Sequence, residues 1–392
     1  MMNNQLQQIT QSFTIQLADR VRQLQRDGVP IIGLQTGDPD FNTPQAIIDA
    51  AYQAMNDGFT HYSNSRGLPA LREAIANRTS NHSHVSYDPE TEILVTHGAI
   101  HAYYIGLQAI INPQDEVLVP DPSWQTHANM VKIVRGVPVR VMGLPENNFL
   151  PTLEAWQASI TPKTKALVIN TPCNPTGSVA SRDYLQALVN LAITHDLFII
   201  SDEVYDNLLY GVEHVSTASI EGAKERTLLL NSMSKTYAMT GWRIGYLCAP
   251  VAIINNALKA SQHSITNVAE FTQRAAIVAL TDADVQIQIA AMRDAYAERR
   301  GRVLALYDRY GGHTPIEVIE PQGAFYFFLD ARQIGLSSNV MAERLLTEAQ
   351  VALVPGSAYG EAGEGFLRMT TAASLEDIEK GFSIVLDWAR KQ

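Results

Sequence analysis

The segment Ser232-Met233-Ser234-Lys235 through Thr240-Gly241-Trp242-Arg243-Ile244-Gly245 sets a lysine among small hydroxyl side chains, with an arginine eight positions further on. A lysine amine in water is protonated below a pKa of about 10.4 and is then a poor nucleophile. A lysine that forms an imine needs a crowded, partly desolvated and cationic neighbourhood, and Arg243 can supply that field. Ser232, Ser234 and the guanidinium fork of Arg243 are also suited to cradling a dianion. Pyridoxal phosphate carries both an aldehyde and a phosphate, so one segment would hold its two ends.

Three other places combine a short apolar run with chemistry at its end. After Ile93 to Thr96 comes His97-Gly98-Ala99-Ile100, small enough for the backbone amides of a following helix to face a phosphate. After Ala166 to Asn170 comes Thr171-Pro172-Cys173-Asn174-Pro175-Thr176-Gly177, a double-proline turn that holds the Asn174 amide at a sheet edge. After Leu197 to Ile200 comes Ser201-Asp202-Glu203-Val204-Tyr205, a carboxylate and a phenol three apart. Single residues also have plainer readings: Asp202 as a capping or ion-paired carboxylate and, elsewhere in the chain, Trp124 as a core or interface aromatic and Arg368 as half of a structural ion pair. His97 and His101 are four apart, a metal-binding spacing on a helix, but no third ligand accompanies them, so no metal is expected. His82 and His84 read as solvated loop residues, and Tyr237 and Trp242 as packing residues.

Placing these groups requires alternating strands and helices, the pattern of an α/β layer architecture. Apolar runs at 93–96, 117–120, 137–141, 166–170, 197–201, 227–231 and 243–248 suit a mainly parallel seven-stranded sheet, and helical patterns such as Tyr184 to His195 supply the crossovers. Thr43 and Pro44 read as an N-cap and first-turn proline for a helix running to about Gly58. A long helical stretch around Ala290 to Tyr310 leads into later strands at 324–329 and 366–370. The expected division is an arm and part of a small domain over 1–40, a large domain over 41–285, and the rest of the small α+β domain over 286–392.

The chain has 392 residues, 46% of them hydrophobic, and a net charge of −11, which disfavours a nucleic-acid groove or an anionic membrane as partner. Two cysteines fit a reducing compartment. No apolar run approaches the roughly 18 residues of a membrane span. The first 18 residues are uncharged, unlike a secretory or transit leader. The cytoplasm is the expected location.

In order along the chain, Gly37-Asp38-Pro39-Asp40-Phe41, Tyr62 before Gly67-Leu68-Pro69, His97-Gly98-Ala99, Pro122-Ser123-Trp124, Asn174-Pro175-Thr176-Gly177, Asp202-Glu203-Val204-Tyr205, the lysine segment and Arg368 resemble the class I and II aminotransferases of the type I pyridoxal phosphate fold. The resemblance implies a homodimer with a large cofactor domain and a small domain built from both chain ends. It implies that Lys235 joins the cofactor aldehyde and, once freed by substrate, moves the Cα proton. Asp202 would pair with the ring nitrogen, Tyr205 and Asn174 with the ring oxygen, and Trp124 would stack on the ring. Ser232, Ser234, Arg243 and the amides of Ala99 and Ile100 would hold the phosphate, with Tyr62 reaching in from the neighbouring subunit. Arg368 would clamp the substrate carboxylate, and Gly37 would let backbone approach the substrate.

Ile100 stands where relatives often carry a hydroxyl or a lysine, and no cation for a distal carboxylate is identifiable. The expected substrates are therefore apolar or aromatic L-amino acids with a 2-oxo acid acceptor, used in a ping-pong cycle, near Ile15 and Ile100. The alternative with the same cofactor is a carbon-sulfur β-lyase. Ser232-x-x-Lys235 formally matches a serine acyl-transferase motif, but its companion motifs are missing. A regulator retaining a cofactor pocket would need an added domain for which the chain has no room.

Overall fold

Runs of Val, Leu and Ile that are buried on both faces form parallel sheets, and they do so here. The computed structural model describes residues 6–392. In chain order the strands are β1 Ile32–Gly33, β2 Ile93–Thr96, β3 Glu116–Asp121, β4 Val137–Met142, β5 Thr164–Asn170, β6 Phe198–Asp202, β7 Thr227–Ser232, β8 Gly245–Cys248, β9 Glu317–Val318, β10 Tyr326–Asp330, β11 Val351–Ala352, β12 Val354–Pro355 and β13 Phe366–Thr370.

The central sheet has seven strands in the order β2-β8-β7-β6-β5-β3-β4. Only β8 runs antiparallel to its neighbours. That reversal brings the start of β8 to the edge where β2 and β7 end, since Gly245 pairs with both Thr96 and Ser232. One face packs on helices Gly98–Ile110 and Val251–Ser264 through a core including Leu94, Ile105, Leu107, Leu228, Leu247 and Ile254. Helix Arg182–Thr194 covers part of the sheet elsewhere through Leu185, Leu188 and Val189, and Ser181 caps it by accepting from the Tyr184 amide.

A second, antiparallel sheet, β12-β13-β10-β9, packs with a two-stranded parallel pair, β1 and β11, on a core of Leu34, Phe327, Leu329, Leu367 and Phe382. Residues from both ends of the chain thus share one core. The 28-residue helix Ala283–Tyr310, capped by Asp282, contributes Val285 and Ile289 to a core of the first layer and Val303 to this one.

Three local expectations change. Thr43 does not cap the helix Gln45–Asn56; its hydroxyl donates to the Ala238 carbonyl (2.6 Å) and accepts from Trp242 Nε1 (3.0 Å), contacts with the lysine segment that outweigh a local cap. His82 is not a solvated loop residue: it ends the helix Pro69–His82 and its ring lies 3.5 Å from the buried Asp206 carboxylate. Arg243 precedes the strand rather than opening it, in a left-handed turn with φ of 53°.

Candidate active site

The C-terminal ends of β2, β3, β5, β6 and β7 and the entry to β8 meet at one sheet edge, the position where open α/β sheets place ligands. There they enclose a cavity of about 500 Å³ with Gly37, Asp38, Tyr326 and Arg368, while Ser12, Thr14 and Ile15 line its mouth. Twelve of the residues singled out in the sequence line this one space: Gly37, Ala99, Ile100, Trp124, Asn174, Asp202, Tyr205, Ser232, Ser234, Lys235, Arg243 and Arg368. Tyr62, by contrast, is 88% exposed and lies outside this chain's own cavity.

Lys235 follows β7 on a turn, and its Nζ donates to the Gly37 carbonyl at 2.5 Å. The rings of Tyr205 and Phe325 lie 5.9 and 5.8 Å from it. Desolvation pushes the amine down to about 8; Asp38 and Asp202 work against that fall, while Arg368 and Arg243 deepen it. The cationic, desolvated neighbourhood that an imine lysine requires is therefore present, and Arg368 adds to the field expected of Arg243.

The turn after β6 divides its side chains between two environments. Asp202 and Tyr205 line the cavity. Asp202 Oδ2 meets His127 Nε2 at 3.0 Å, and Tyr205 shares its phenolic hydrogen bond with Tyr326 at 2.8 Å. Burial raises the Tyr205 phenol well above its ordinary pKa, so it is a neutral donor. Glu203 and Asp206, both fully buried, hold polar partners behind the cavity. Glu203 accepts from Ser201, His214 (2.9 Å), Ser216 and the Thr217 amide. Asp206 takes a two-pronged contact from Arg78 Nη2 at 2.8 and 3.0 Å and accepts from Asn231 Nδ2 at 2.9 Å. Such pairing satisfies carboxylates that burial would otherwise penalise.

Arg368 reaches the cavity from β13, its guanidinium carbon 4.3 Å from the ring centre of Tyr326 and 5.2 Å from that of Tyr359. Its Nη1 donates to Asn174 Oδ1 at 3.0 Å and its Nη2 to the Gln35 carbonyl at 2.5 Å, while Nε is buried without a partner. Because Asn174 Oδ1 accepts from the arginine, the amide nitrogen remains its donor. Asn170 Oδ1 accepts from the backbone N–H of Asn174 (3.0 Å) and fixes the turn. At the opposite end, Arg243 Nη1 donates to the Thr240 carbonyl at 2.7 Å, and its Nη2 lies 2.7 Å from where a Cβ on Gly98 would stand. Gly98, at φ of +75°, thus lets the guanidinium approach the free amides at the start of helix Gly98–Ile110. A guanidinium, two serine hydroxyls and those amides form a donor set for a dianion.

Sequence reasoning missed His127, Tyr326 and Asp38. One signal existed for His127: it sits three residues after Trp124, one helical turn on, and their rings meet edge to face at 5.4 Å. The His97–His101 pair is engaged with the protein backbone: His97 Nε2 meets the distant Asn267 carbonyl (3.3 Å) and His101 Nδ1 accepts from the His97 amide (3.3 Å). Among the described residues no three potential metal ligands gather.

Comparison with known proteins agrees with this geometry. The family model for aminotransferase class I and II matches residues 29–383. The chain is 42% identical to an aspartate aminotransferase of Pyrococcus abyssi over 351 residues, covering 89% of each chain. It is 40% identical to aromatic-amino-acid aminotransferase 2 of Thermococcus litoralis, again over 89% of each. A solved structure of Thermus thermophilus aspartate aminotransferase with maleate superposes with a TM-score of 0.94 at 38% identity, covering 99% of both chains. The chain belongs to the class I and II aminotransferases, enzymes that transfer nitrogenous groups with pyridoxal 5'-phosphate. Its substrates are accordingly amino acids and 2-oxo acids. The cavity fits that cofactor: it has an amine of lowered pKa, a buried carboxylate held by histidine, and the dianion donor set at Arg243.

Proposed function

We propose that this enzyme transfers the amino group of apolar and aromatic L-amino acids to a 2-oxo acid by a ping-pong cycle, as a cytoplasmic homodimer. The observation that carries the reading is the convergence of Lys235, Asp202, Tyr205, Asn174 and Arg368 on one cavity. Pyridoxal phosphate, when bound, supplies an aldehyde for the amino group and a ring that takes up the electron pair released at Cα. Lys235 Nζ, with a pKa near 8, has a neutral fraction near neutral pH; once freed by substrate it would take the Cα proton and deliver it to the former aldehyde carbon of the cofactor. Asp202, oriented by His127, keeps a proton on the ring nitrogen. Tyr205 and the Asn174 amide nitrogen donate to the ring oxygen, and Trp124 covers a ring face. Ser232, Ser234, Arg243 and the amides of Ala99 and Ile100 hold the phosphate, with Tyr62 of a second protomer. Arg368 receives the substrate carboxylate near Gly37, its unpartnered Nε leaving donor capacity to spare.

The preference for apolar donors rests on the cavity's charges. Its cations, Lys235, Arg243 and Arg368, all have assigned roles, while the mouth carries Ile15 and Ile100 at 62% and 37% exposure. Burying a substrate CH₂ there is worth about 0.8 kcal/mol. The two relatives named above, one for aspartate and one for aromatic amino acids, bracket the choice. Cytoplasmic placement is supported by two unpaired buried cysteines; among the described residues no single helix is long and apolar enough to cross a membrane. The large domain is assigned to 41–285 and the small one to 1–40 with 286–392. Absorbance spectra of the cofactor-loaded enzyme, taken as single amino acids are added without acceptor, test the reading. Conversion to the amine form of the cofactor with release of the matching 2-oxo acid, fastest for leucine, methionine or phenylalanine, is expected. Preference for aspartate by orders of magnitude would refute the substrate class, and pyruvate with ammonia from cysteine conjugates would instead indicate β-elimination.

A further inference from the structure

Asp38 lines the cavity yet has no part in the roles above. Its Oδ1 accepts from Thr240 Oγ1 at 2.6 Å, although the residue is exposed. The preceding carbonyl, Gly37 O, accepts from Lys235 Nζ, and the Thr240 carbonyl accepts from Arg243 Nη1 at 2.7 Å. A chain of contacts therefore runs from the lysine nitrogen through the 37–38 backbone and the Asp38 side chain to the arginine. Two residues on, Arg299 clamps Asp40 at 2.7 and 2.8 Å and lies over the Phe41 ring. The segment is thus anchored on both sides of the carboxylate, which keeps Asp38 in place where an exposed side chain would ordinarily wander.

The charged groups that act on Lys235 come from four elements. Arg368 comes from β13, Arg243 from the entry to β8, Asp202 from β6 and Asp38 from the segment after β1; the neutral phenols of Tyr205 and Tyr326 complete the wall. Of the four charges, Asp38 acts most strongly on the amine, and in the sense opposite to both arginines. We propose that Asp38 is a positioning residue for Lys235: latched by Thr240, it balances the two cavity arginines and sets the charge carried by the lysine nitrogen. This rests on the pyridoxal phosphate reading of the site.

The test is a pH titration of the absorbance of the lysine-bound cofactor in holoenzyme, for wild type, Asp38→Asn and Asp38→Glu, at low and high salt. Removing the anion destabilises the protonated nitrogen, so the Asp38→Asn midpoint should fall by about half a unit or more at low salt. The shift should shrink in high salt, because an exposed charge is screened. Asp38→Glu, which keeps the charge, should return the midpoint toward wild type. An Asp38→Asn midpoint equal to wild type overturns the proposal, as does an equal shift in both variants, which would mean that the side chain's shape and not its charge matters. A cofactor band that is the same in Lys235→Ala as in wild type would instead refute the underlying reading.

Discussion

Lys235 is held at a cavity wall with its ammonium desolvated, and that has a price in the cofactor-free protein. Its pKa falls from the usual 10.5 to about 8 on folding, so between those values the unfolded chain binds more protons than the folded one. Stability contributed at this position therefore rises with pH across that window, and the burden is fully present below about 8. Lys235→Met should stabilise the cofactor-free protein near neutral pH by about 1–2 kcal/mol, discounted for solvent at the cavity mouth. The gain should disappear as pH approaches 10.5, which urea unfolding at several pH values would measure. The opposite trend would mean that the amine is charged and well paired in the fold. Not every residue at this scale was readable. Lysine, serines and arginine lie within one segment and advertise themselves, whereas His127 reaches Asp202 from 75 positions away and Tyr326 reaches Tyr205 from 121. No local pattern encodes such pairs.

Strands and the turns after them carried most of what the sequence disclosed. Apolar runs buried on both faces read cleanly, and the chemistry fell at their ends because a parallel sheet gathers those ends on one edge. Capping was less legible: Thr43 has the residue type of a cap but spends its hydroxyl on Ala238, 195 positions on. The turn before helix Gly98–Ile110 gives the sharpest prediction among these elements. A Cβ on Gly98 would stand 2.7 Å from Arg243 Nη2, at a φ of +75° that disfavours any other residue. Gly98→Ala should lower stability by about 1 kcal/mol from backbone strain and weaken pyridoxal phosphate binding about tenfold or more through the displaced guanidinium. Cofactor titration beside thermal melting separates the two effects; unchanged affinity would remove Arg243 from the phosphate site.

Across the whole molecule, the exposed Tyr62 makes the proposed dimer testable. Protomers carrying Tyr62→Ala and protomers carrying Lys235→Ala should each be impaired alone, yet a mixed dimer would contain one site with both native residues. Reassorting equal amounts should recover about a quarter of wild-type activity, the share expected when half the dimers are mixed and each has one complete site. No recovery despite exchange would show that Tyr62 serves its own chain or no site at all. The turn after β6 bears on a different question, the transplanting of activity between scaffolds. Its cavity residues, Asp202 and Tyr205, alternate with Glu203 and Asp206, whose partners Arg78, His214 and Asn231 come from three other parts of the chain. A designer who copies only the five letters from 202 to 206 would move the visible half of a two-sided part and bury orphaned carboxylates in the new host. The smallest portable unit is the turn together with its hidden counterparts, so this motif is inherited as a piece of architecture rather than as a string.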